Sequence, residues 1–208
     1  MGTQTAGHQL RRAERGSLFF FAVVAAAYGV LVAVGSAARI VAVLVAETIE
    51  VQMSAVFAVP DSAVTGPARL VSGSFDSALL VLADVSTPAR LLLAASALAL
   101  GLAQVLIAGT IVFASIGLVR GRPFGRSMTW LLATASITLI AGGLLGYALG
   151  IAAQFTIAAE LNPDPVGSVF PFAGGFDLTI VFVGVVLGVV AAAFEIGERM
   201  QRDTDGLV

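Results

Sequence analysis

The chain has no cysteine, no lysine and one histidine, and only 12% of its 208 residues are charged. Each shortage narrows the chemistry. Without cysteine there is no disulfide, thiol nucleophile, iron–sulfur cluster or thiolate zinc site. His8 stands alone in a polar N-terminal stretch, which gives a transition metal little to bind. No EF-hand spacing, P-loop, nucleophile elbow or dinucleotide fingerprint is present, so no cofactor is expected. A soluble domain carries about twice this charged fraction. With 58% hydrophobic residues and a mean hydropathy of +0.99, the composition is that of a protein that meets lipid.

What is present is four long uncharged runs, at 18–38, 91–119, 128–159 and 178–194. A hydrocarbon layer of roughly 30 Å takes about 20 helical residues. Lipid offers the backbone no hydrogen bonds, so a spanning segment is a helix or part of a closed barrel. The expected fold is therefore an all-α membrane protein: a four-transmembrane-helix bundle with a small β-rich extracytoplasmic cap between helices 1 and 2.

The expected segments run in order along the chain. Residues 1–15 form a cytoplasmic tail, 16–46 the first span and 47–89 an outer loop. Then come the second span at 90–119, a cytoplasmic turn at 120–126 and the third span at 127–159. Residues 160–177 form a second outer loop, 178–202 the fourth span with a cytoplasmic extension, and 203–208 the C-terminal tail. The 18–38 run is longer than the roughly 7–15 residues of a signal-peptide core, so a retained span is expected rather than a cleaved leader.

Orientation comes from the eleven basic residues, all arginine. Three lie before the first run (Arg11, Arg12, Arg15), three around the 120–126 turn (Arg120, Arg122, Arg126) and two after the last run (Arg199, Arg202). The 47–89 connection holds five acids and one arginine, and 160–177 holds three acids and no base. The positive-inside rule then places both termini and the 120–126 turn in the cytoplasm. These arginines are too scattered for nucleic acid and suit anionic headgroups, so membrane lipids are the expected surroundings. Abundant Ala, Val, Gly and Arg without lysine suggests a high-GC bacterial gene and a bacterial plasma membrane.

The first outer loop carries a pattern. Residues 49–55 (Ile-Glu-Val-Gln-Met-Ser-Ala) alternate apolar and polar, as a half-buried strand does, and Pro60 ends the run. Residues 70–71 and 78–85 supply one or two further strands. The alternative is a helical continuation of the first span through Met53.

Inside the spans, Gly142, Gly146 and Gly150 recur every four residues, as do Gly184 and Gly188. Such stripes let another helix backbone approach closely. They serve contact within the bundle or, alternatively, a homo-oligomer or a membrane protein partner. Gln104 is a strongly polar side chain near mid-span, with Thr134 and Thr138 as candidate hydrogen-bond partners. Arg39 and Asp177 are candidates for the outer interface, where they anchor to headgroups or pair with each other. Glu195/Arg199 and Glu198/Arg202 have the favoured i,i+4 order of helical ion pairs.

Gly121-Arg122-Pro123-Phe124 between spans two and three, the acidic-to-apolar ending at 198–208, the outer loop after span one and the overall length carry a resemblance. In these the chain resembles the YoaS-like family of small four-span bacterial membrane proteins, a family of unknown function. Members often accompany a small helix-turn-helix regulator, so the resemblance implies a membrane sensor or regulatory partner and carries over no catalytic residue. The expected function is a non-enzymatic accessory, regulatory or scaffolding membrane protein. The alternatives are a small transporter or channel subunit, and a lipid-modifying enzyme, which would need a cluster of acids, serines or histidine at one membrane face.

Overall fold

The computed structural model describes residues 3–58, 71–119, 126–162, 170 and 177–205. Among these, helix α1 (Thr3–Val45) leads into strands β1 (Thr48–Ala58) and β2 (Ser74–Ala83). Helices α2 (Thr87–Val119), α3 (Arg126–Leu161) and α4 (Thr179–Asp205) follow. Residues 120–125, residues 59–70 between the two strands and most of the 160–177 connection lie outside the described residues.

Among the described residues four segments are long and apolar enough to cross a membrane: Gly16–Val45, Thr87–Val119, Met128–Leu161 and Thr179–Gly197. At about 1.5 Å per residue the second and third are near 50 Å long, well beyond a hydrocarbon layer of roughly 30 Å. The N-terminal stretch read as a tail is helical from Thr3 and continuous with α1, in keeping with helix formers such as Leu10, Arg11, Arg12, Ala13 and Glu14. The continuation of the first span through Met53 does not form. The last helical bond runs from Ala46 N to Ala42 O (3.0 Å), and β1 begins at Thr48.

The chain divides into two compact units. The first draws on residues 1–37, 99–144 and 178–208 and, among its described residues, is helical apart from Leu178. Here α1 lies on α2, α2 on α3 and α3 on α4, each seam lined with small residues. A Cβ at Gly29 would sit 3.0 Å from Ala108 Cβ, one at Gly101 2.8 Å from Ser36 Cβ, and one at Gly142 3.3 Å from Ala103 Cβ. Met128, Leu132 and Ala191 form a buried cluster with Leu131, Leu187 and Phe194 around it. Phe19, Phe20, Leu31, Phe182 and Val189 are exposed.

The second unit draws on residues 38–98 and 145–177. Its antiparallel hairpin pairs Ile49 with Leu82, Val51 with Leu80 and Met53 with Ala78, and the register shifts between Ser54 and Phe57. The alternation in β1 sets this geometry, because successive side chains of a strand point to opposite faces. Ile49, Val51 and Met53 are buried together with Val85, Ala89, Ile157 and Ala158, and Leu80, Leu82, Leu93 and Phe170 close the cluster. Each large apolar side chain buried there stabilises the unit by about 1.5–3 kcal/mol. Glu50 and Gln52, on the other face of β1, are exposed.

Candidate functional site

The second unit holds its hairpin with a set of polar contacts at three helix ends. α1 ends with carbonyls that have no partner inside the helix. Arg90, in the first turns of α2, reaches them. Its Nη1 donates to Val43 O (3.0 Å) and Ala46 O (2.6 Å), and its Nη2 to Glu47 O (3.2 Å). Its Nε donates to Val85 O (3.1 Å), so the same guanidinium also fixes the turn from β2 into α2. The planar fork of arginine suits several acceptors at once, and its charge complements the negative end of the α1 dipole.

The turn itself is built for reversal. Asp84 has φ 56°, a left-handed conformation that Asp adopts more readily than most residues. Ser86 then caps α2: its Oγ accepts from Ala89 N (3.5 Å), and Arg90 N donates to Ser86 O (3.1 Å). Pro88 lies in the first turn, where its missing N–H costs nothing. Glu160, near the end of α3, accepts from Ser86 N (3.3 Å) through Oε2 and from the Ser86 hydroxyl through Oε1. A carboxylate at this point complements the positive end of the α2 dipole. Cation and anion thus sit at helix ends of opposite polarity, and both hold the base of the hairpin.

Asn162 extends this set, donating through Nδ2 to Ala158 O (2.8 Å) and Phe170 O (2.9 Å). Tyr147 hydrogen-bonds the Asp177 carboxylate. Asp177 was read, with Arg39, as a candidate for the outer interface, anchoring to headgroups or pairing with Arg39. Tyr147 is a partner of Asp177, and Arg39 is exposed on α1.

The outward face of the hairpin is less polar than a solvated sheet face. Phe57 and Phe75 stack across the strands with ring centroids 4.6 Å apart. Leu79 and Val81 are 68% and 63% exposed, opposite Gln52 and Glu50. β2 is therefore apolar on both faces, with Leu80 and Leu82 directed into the core.

The predicted intramembrane residues take definite partners. Gln104 Oε1 accepts from the Tyr28 hydroxyl on α1 (3.0 Å), not from Thr134 or Thr138. Thr138 Oγ1 instead donates to Thr134 O on its own helix (2.8 Å), a local bond that a threonine one turn along makes without any second helix. Of the glycines, Gly142 and Gly150 face α2, each within its own unit, with Gly150 set against Ser96. The Gly146 carbonyl accepts from Ser96 Oγ at 2.8 Å. Gly184 and Gly188 face Leu139, Ile140 and Ser136 of α3.

Arg90, Ser86, Glu160, Ser96, Ser136 and Tyr28 were not singled out from the sequence. Ser86 before Thr87-Pro88 carried a usable helix-start signal. For the others, nothing local names a partner more than forty positions away. Among the described residues no three His, Cys, Asp or Glu side chains group as metal ligands. In comparisons with known proteins, the chain matches no protein-family model, no curated protein and no solved structure.

Proposed function

We propose that this chain is a non-enzymatic accessory or regulatory protein of the bacterial plasma membrane that presents its hairpin to a membrane partner complex. It crosses the bilayer four times, with both termini in the cytoplasm and the hairpin outside. The arginine asymmetry supports that orientation. Trp130, 66% exposed near the start of α3, fits a membrane–water interface at that end of the helix, where an indole suits the headgroup level. The excess length of α2 and α3 fits helices that extend beyond the hydrocarbon layer.

One observation carries the reading: an apolar strand face stands bare on a hairpin fixed at its base by Arg90, Ser86 and Glu160. Exposed apolar patches on otherwise polar surroundings mark contact sites. The described polar side chains of the spans support a scaffold as well, because Ser96, Ser136 and Gln104 are spent on contacts between helices. Purification of the tagged chain from native membranes in mild detergent tests the proposal. A stable stoichiometric complex is the expected result. A lone chain that moves solute when placed in liposomes would replace it with the transporter reading.

A further inference from the structure

We draw no further inference here: the strongest candidate, the apolar groove between α1 and α2 lined by Ala26, Gly29, Ala33, Ala108, Gly109 and Phe113, is a stripe of small residues with no polar group directed into it, and nothing in the structure shows what covers it.

Discussion

Ser136 Oγ donates to the Gly184 carbonyl at 2.7 Å across the seam between α3 and α4. The geometry depends on Gly184 lacking a side chain. A Cβ there would lie 2.7 Å from Ile140 Cγ1, 3.1 Å from Leu139 Cβ and 3.2 Å from the Ile140 backbone nitrogen. A side-chain terminus can rotate away, but a backbone atom inside a helix cannot. Gly184→Leu should therefore separate the two helices and cost about 1–3 kcal/mol, the usual range for overpacking. Gly35→Ala is the control, because no atom lies within 4 Å of a Cβ at that position. Unfolding in mixed detergent micelles should show a large loss for the first and none for the second.

The hydroxyls at these seams contribute less than the glycines. Ser96 and Ser136 both bond carbonyls that already belong to a helix ladder, so removing a hydroxyl orphans no acceptor. Ser96→Ala and Ser136→Ala should each cost about 0.6 kcal/mol, the average for interhelical hydrogen bonds in membrane proteins. A loss of several kcal/mol from either change would show that the seams depend on the hydroxyl rather than on close approach.

Arg90 is the residue on which the base of the hairpin depends most. Its guanidinium reaches four carbonyls, those of Val43, Ala46, Glu47 and Val85. A charged hydrogen bond contributes about 1.5–3 kcal/mol, and an orphaned carbonyl adds its own desolvation cost. Arg90→Met should lower stability by about 2 kcal/mol or more and raise amide exchange at the junction of α1 and β1. Arg90→Lys should recover only part of this, because an ammonium has no planar fork to span several acceptors.

Glu160 acts on the neighbouring helix end. Glu160→Gln keeps an acceptor for Ser86 and removes the charge, so its effect should be near the 0.3–1 kcal/mol of a helix-dipole contact. Ser86→Ala removes the cap itself and should cost about 1 kcal/mol. Because Glu160 bonds Ser86 directly, the double variant should cost less than the sum of the two. A double-mutant cycle read by chemical unfolding checks this.

Much of the architecture was legible because it rests on periodicity and length. The four apolar runs required no partner to be seen, and the alternation from Ile49 to Met53 identified β1. The glycine spacing gave the packing stripes but not what they face, since a stripe on one helix carries no information about the residue opposite. Gln104 shows the same limit. Its polarity at mid-span signals a partner, yet Tyr28 lies 76 positions away and the nearer Thr138 satisfies itself within α3. Arg90 was hidden for a different reason. At the level of sequence it is one more arginine at the end of an apolar run, and only the fold brings the end of α1 within its reach.

Orientation gives the last prediction, and the absence of native cysteine makes it direct. Glu47, Glu50, Asp76 and Asp84 lie on or beside the hairpin, and an acid such as Asp costs about 2.5–3.5 kcal/mol at mid-bilayer. On the proposed topology the hairpin stands in water on the outer side of the membrane. Single cysteines introduced at Ser77, exposed on β2, and at Arg199, exposed on α4, report the two sides. A membrane-impermeant maleimide added to intact cells should label the Ser77→Cys chain and spare Arg199→Cys until the cells are permeabilised. Labelling of only the Arg199 position would invert the topology. Labelling of both in intact cells would place the two sites on the same side and require an odd number of crossings between β2 and the end of α4 to be given up.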